Sequence, residues 1–137
     1  MEIKEKIIEF LQKNYPVCRL WTTLPEYLDW FFKHECYGLV GNEHGEVTGF
    51  ALARPVEKPE DGRTHYHFDP LGSCLYVDLC IATTKEAEKK LFEVIYMKAG
   101  KPTLIAFKKS GKDRAHYFDK FMKRYLNKEK IGNSDVK

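Results

Sequence analysis

Leu75-Tyr76-Val77-Asp78-Leu79-Cys80-Ile81-Ala82 carries one charged side chain among eight residues, and its reading decides the fold. An apolar run of this kind suits a central strand covered on both faces of a sheet. Thr83 follows and opens a helix, with Glu86 in the capping-box position. Ala87, Leu91, Val94 and Ile95 form the buried stripe of that helix over 84–98, and Gly100 ends it. Thr103-Leu104-Ile105-Ala106-Phe107 reads as the next strand. A strand, a helix and a strand in that order form a crossover, which predicts that the two strands are parallel.

Upstream, Tyr37–Gly41 and Val47–Ala53 read as strands joined by the turn Asn42-Glu43-His44-Gly45. Thr64–Phe68 alternates enough to predict a third strand, turned by Asp69-Pro70-Leu71-Gly72. At the N-terminus, Ile3, Ile7, Phe10 and Leu11 mark a helix that Asn14-Tyr15-Pro16 stops, and Val17–Trp21 reads as a short strand. Thr23-Leu24-Pro25-Glu26 has the capping-box pattern of a second helix that buries Tyr27, Leu28, Trp30 and Phe31. Downstream, 108–111 reads as a loop and 112–127 as a helix with Tyr117, Phe118, Phe121 and Tyr125 inward. The expectation is one α/β domain over 1–130, with a mixed sheet of about five strands flanked by helices, and a frayed tail over 131–137.

Composition sets the bounds. The 137 residues are 43% hydrophobic and 14% aromatic, which excludes a disordered chain. No apolar run is long enough to span a membrane, and the charged start Met1-Glu2-Ile3-Lys4-Glu5-Lys6 lacks a signal peptide's apolar segment, so the reading is a cytoplasmic protein. Cys18, Cys36, Cys74 and Cys80 have no zinc-ligand spacing and read as free thiols, with no metal implied. The net charge of +3 hides an asymmetry: residues 1–84 hold 8 Lys and Arg against 13 Asp and Glu, and residues 85–137 hold 15 against 7. The basic third could meet an acidic protein, a phosphate or nucleic acid, or be a solvated helix face.

The element order resembles the GNAT superfamily of acyl-CoA N-acyltransferases over roughly residues 17–127. The features that carry the likeness are the hairpin 37–53, the strand 75–82, the helix 84–98, the strand 102–107 and the aromatic final helix. The resemblance implies a splayed pair of strands holding an acyl donor's pantetheine, with its pyrophosphate at the following helix start. That family's glycine-bearing phosphate loop corresponds here to Ala82-Thr83-Thr84-Lys85-Glu86-Ala87-Glu88, which has no glycine and two carboxylates. Three stretches are also similar to the RTX-toxin-activating lysine acyltransferases, which take acyl chains from acyl carrier protein. They are Asn14-Tyr15-Pro16-Val17, then Tyr76-Val77-Asp78-Leu79 with Ile81-Ala82, then Gly111-Lys112 followed by Phe118, Lys120 and Tyr125. By that likeness Asp78 takes the place of the catalytic Asp, and Gln12 falls where the catalytic His would be.

The candidate residues follow. Asp78 is a carboxylate in an apolar strand, either a catalytic or orienting group or the partner of a basic side chain. His65, His67 and Asp69 stand at period two, so a strand would place them on one face as metal ligands, a general base (His67) or plain surface. Tyr117 is a candidate acid by the GNAT likeness. Leu79 and Ile81 would turn backbone amides to a thioester carbonyl, and Thr83 and Thr84 would either meet a phosphate or cap the helix. Lys109, Lys112, Arg114 and Lys123 lead the basic surface. Trp30, Phe31 and Phe32 are consecutive, so one of them is expected in a cleft wall or a homodimer contact. The reading favoured is an acyltransferase that moves an acyl group from acyl-CoA or acyl carrier protein to an amine. The alternatives are a non-catalytic accessory module of the same fold and a basic phosphate- or nucleic-acid-binding module, for which nucleic acid is the less favoured partner.

Overall fold

The structure is a computed structural model, and it describes residues 2–126, apart from the side chain of Tyr125. The expected tail, the last residues of the predicted final helix and the inward placement of Tyr125 lie outside the described residues. The order is α1 (Ile3–Asn14), a 3₁₀ turn (Pro16–Leu20), α2 (Leu24–Lys33), β1 (Tyr37–Gly41), β2 (Val47–Val56), a second 3₁₀ turn (Pro59–Arg63), β3 (Cys74–Ala82), α3 (Lys85–Lys98), β4 (Leu104–Lys109), β5 (Lys112–Tyr117) and α4 (Phe118–Leu126).

The five strands form one mixed sheet in the order β1-β2-β3-β4-β5. All neighbours are antiparallel except β3 and β4, which the α3 crossover makes parallel, as the sequence predicts. Alternation along β2 sends Phe50 and Leu52 to one face, where they pack with Ile7, Leu11, Leu28 and Phe31 of α1 and α2. Ala51 faces the other way and joins Leu75, Leu91, Ile95, Ile105, Phe118 and Met122 beneath α3 and α4. Each fully buried Leu or Phe in these two layers contributes roughly 1.5–3 kcal/mol of transfer free energy. Trp30, Phe31 and Phe32 all find partners within the chain. Phe31 is buried, Trp30 lies against Tyr66 and Phe68, and Phe32 lies against Tyr37 and Phe50.

Four local expectations are corrected. Residues 17–21 form the first 3₁₀ turn and not a strand: Cys18 N donates to Tyr15 O and Trp21 N to Cys18 O, a three-residue step that Pro16 initiates. Thr23 makes no side-chain cap to α2, and at the start of α3 the cap is Thr84, whose Oγ1 accepts from Ala87 N at 3.0 Å. Residues 64–68 form no strand. The carbonyls of Thr64 and His67, which a sheet would use in its ladder, instead accept from the guanidinium of Arg54. The predicted helix over 112–127 is half strand. Ser110 and Gly111 both take positive φ, 53° and 78°, which is the demand of a two-residue hairpin turn, and Lys109 pairs with Lys112 across it.

Candidate functional site

β3 is paired on both edges over only its first half. Cys74, Leu75, Tyr76 and Val77 stand in register with Leu104, Ile105, Ala106 and Phe107 of β4, and from Asp78 onward β3 pairs with β2 alone. The strands part because the end of β4, Lys108 and Lys109, is carried off in the hairpin with β5. At the parting point β3 also bulges. Leu52 faces Leu79 and Ala53 faces Val77, so Asp78 is an extra residue in the ladder. A bulge re-aims a side chain and frees the local peptide groups from regular pairing.

Two cavities meet at this point. The gap cavity, about 290 Å³, lies on the α3 and α4 side and is lined by Val77, Asp78, Leu79, Cys80, Glu88, Phe92, Ile105, Phe107, Lys108 and Phe121. The aromatic cavity, about 460 Å³, lies on the side of the first 3₁₀ turn and α2. Trp21, Thr23, Tyr27, Gly62, Arg63, His65, Tyr66 and Tyr76 line it. Val77, Asp78 and Lys108 border both cavities.

Asp78 is held by Arg54 of β2. Arg54 Nε donates to Asp78 Oδ2 and Nη2 to Oδ1, each at 2.9 Å, a two-pronged pair. Nη1 donates to the carbonyls of Thr64 at 2.7 Å and His67 at 2.9 Å, and Nη2 donates to the carbonyl of Gly62. All five guanidinium N–H groups are thus used, which is how a side chain only 1% exposed keeps its charge. The guanidinium also lies over the ring of Tyr76, 5.4 Å from its centroid. Burial pushes the Asp78 carboxyl above the ordinary carboxylate value, against the pull of Arg54. Burial also raises the Tyr27 phenol well above its ordinary value, with the charge of Asp78 adding to the effect.

The expected residues are distributed unevenly about this point. Asp78 and Leu79 are at the gap, and Ile81 packs under α1 and α2. Thr84 is occupied in capping α3, and the Thr83 amide and hydroxyl both donate to Thr48 O, at 3.0 and 3.3 Å. Glu86 and Glu88 occupy the first turn of α3, so its positive end is already matched by carboxylates. His67 borders neither cavity. Its Nε2 shares a hydrogen bond with Asp69 Oδ2 at 2.8 Å and lies 3.8 Å from Asp61. The side-chain cluster of this loop is therefore Asp61, His67 and Asp69 and excludes His65. Its two Oδ2 atoms accept from the amides of Lys58 and Glu57, which makes the cluster a brace for the loop. His65, not His67, lines the aromatic cavity together with Asp78. Tyr117 is 64% exposed at the end of β5 and borders a separate surface pocket with His116, Lys120 and Arg124. Lys109, Lys112 and Arg114 lie exposed on the β4–β5 hairpin and Lys123 on α4, so the basic surface is an edge strand beside a helix.

Arg54 is the residue of this candidate site that the sequence reading does not single out. The signal was present: Arg54 interrupts the apolar strand Val47–Val56 in the same way that Asp78 interrupts its own strand, and two opposite charges in neighbouring buried strands call for each other. Comparison of the chain with protein-family models, curated proteins and solved structures finds no match. Among the described residues, no helix is long and apolar enough to cross a membrane.

Proposed function

We propose that the protein transfers an acyl group from a thioester donor to an amine. The observation that carries this reading is the parting of β3 and β4 at Asp78, with a cavity on each side of the carboxylate. In this reading the acyl thioester lies in the gap cavity, among Val77, Leu79, Phe92 and Phe107, and peptide groups of the bulged strand polarise its carbonyl. The amine approaches from the aromatic cavity. Asp78 takes its proton on a lone pair that Arg54 leaves unused, and the raised affinity of this carboxyl for a proton makes it a better base than an exposed aspartate. The nitrogen then attacks the thioester carbonyl, and the thiol leaves with the proton.

The start of α3 bears on the donor. Its capping hydroxyl is used and its first turn is acidic, which disfavours a diphosphate there and with it coenzyme A. An acyl carrier protein, acidic overall and presenting its thioester on a single-phosphate arm, suits the basic β4–β5 hairpin better. The same occupied helix start favours a second reading, a module that keeps the fold and acts by protein contact alone.

The test is thiol release from acyl-carrier-protein and acyl-CoA donors in the presence of primary amines. Thiol release that depends on the amine, and that falls by about 10²-fold or more in Asp78→Asn, is the expected result. Release that is absent with every donor, or unchanged in Asp78→Asn, overturns the reading and leaves the module.

A further inference from the structure

The rings around the aromatic cavity come from four separate segments: Trp21 after the first 3₁₀ turn, Tyr27 on α2, Tyr66 in the loop before β3, and Tyr76 on β3. They are fixed relative to one another. Trp21 meets Tyr27 edge-on with centroids 5.7 Å apart, and Tyr27 and Tyr66 are 6.0 Å apart. Tyr66 is held at a φ of +64°, a left-handed conformation that is strained for a tyrosine. What holds it is Arg54, which bonds the carbonyls of Thr64 and His67 on either side. The outcome is that a 43% exposed ring is kept on the cavity wall by a buried cation.

The charges leave a remainder. Asp78 is neutralised by Arg54, and Arg63 is ion-paired with Asp113. Lys108 is exposed and enters no ion pair among the described residues. The cavity therefore offers ring faces to stack on and one unbalanced positive charge at its border. Its volume of about 460 Å³ fits a ring with a short substituent.

We propose that the aromatic cavity binds a planar aromatic ring carrying one anionic group, with the ring against Tyr66 and Trp21 and the anion at Lys108. That this ligand is the amine acceptor rests on the proposed function; its binding does not. The same chemistry is offered by an aryl carboxylate and by a nucleoside monophosphate.

Calorimetry of the full chain with 4-aminobenzoate and with AMP tests the site. The expected result is saturable binding of at least one probe with a Kd below about 1 mM, weakened about tenfold by Lys108→Ala and about tenfold by Tyr66→Ala. Lys108→Ala alters a surface side chain and keeps the test valid if Tyr66→Ala fails to fold. Aniline, a ring without the charge, and acetate, a charge without the ring, should each bind at least tenfold more weakly, by roughly 1.4 kcal/mol. Binding of one probe alone identifies the source of the ligand. No saturable binding of either probe, or binding indifferent to Lys108→Ala, overturns the inference. Binding without acylation by any thioester overturns the acyltransferase reading and leaves the site standing. Acylation of alkyl amines without binding of either probe does the reverse.

Discussion

The two cavities that meet at Asp78 are built in opposite ways. The gap cavity is a product of regular structure. β3 and β4 stop pairing, and the space between them is closed by side chains of α3 and α4, Phe92 and Phe121. The aromatic cavity is a product of a loop, and that loop has little apolar burial of its own: His65 and Tyr66 are exposed, and His67 and Phe68 only half-buried. It is held by three carbonyl bonds to one buried guanidinium. The first cavity follows from periodicity over many residues. The second hangs on Arg54, and the difference predicts that the two can be damaged separately.

Replacing Arg54 is the most severe way to break that comparison. Arg54→Met leaves Asp78, whose side chain is 11% exposed, as an unpaired charge and leaves three loop carbonyls without a donor. The expected loss is about 3–5 kcal/mol of folding stability, read from urea denaturation. Replacing both members of the pair, Arg54→Met with Asp78→Leu, should cost less than Arg54→Met alone, because no buried charge is then left over. In the double variant the loop over 57–73 should be cut by protease well before the sheet. If sheet and loop are lost together at the same denaturant concentration, the separation of the two regions is wrong.

Gly62 offers a smaller and more local break. A Cβ at Gly62 would lie about 2.0 Å from the ring of Tyr76, which is buried and lies under the Arg54 guanidinium. Gly62→Ala must therefore move Tyr76 or the second 3₁₀ turn, at a cost of about 1–3 kcal/mol. Thermal unfolding measures the cost. The expected structural consequence is confined to the aromatic cavity, so binding of an aryl or nucleotide probe should fall while binding of a thioester in the gap persists.

The same division explains what could be read in the sequence. The sheet, the crossover and the α1 and α2 layer were legible because alternation along β2 and helical spacing in α1 and α3 repeat over many residues. Asp78 stood out as a charge in an apolar run. The loop could not be read, because its shape is set by carbonyl bonds to a side chain in a different strand, and the alternation of Thr64–Phe68 suggested a strand where none forms. The β4–β5 hairpin was misread for another reason. All six residues of β5 are exposed on an edge strand, so it lacks the apolar alternation that marks a strand, and the Ser110-Gly111 turn was its best signal.

The thiols give the mildest probe, and one that reports on both regions at once. Cys80 borders the gap cavity and is exposed, whereas Cys18, Cys36 and Cys74 are buried. A thiol reagent on the native protein should therefore label Cys80 first, and slowly, because its surroundings and the nearby Glu88 push this thiol up to about 12. A thioester analogue in the gap should slow that labelling, and a ligand in the aromatic cavity should leave it unchanged. The buried thiols report on folding. Burial pushes Cys36 and Cys74 up to about 11 each, above the ordinary thiol value near 9. Between those two pH values the unfolded chain gives up thiol protons that the folded chain keeps, so the folded state holds more protons and loses stability as pH rises. The contribution is complete below about pH 9 and gone above about pH 11, and the Tyr27 phenol, raised by burial, acts in the same direction. Urea midpoints measured from pH 8 to 11 should fall, and Cys36→Ala with Cys74→Ala should flatten the fall. An unchanged slope in that double variant would leave the other groups that burial raises, Cys18, Cys80, Tyr27 and Tyr76, to couple folding to alkaline pH.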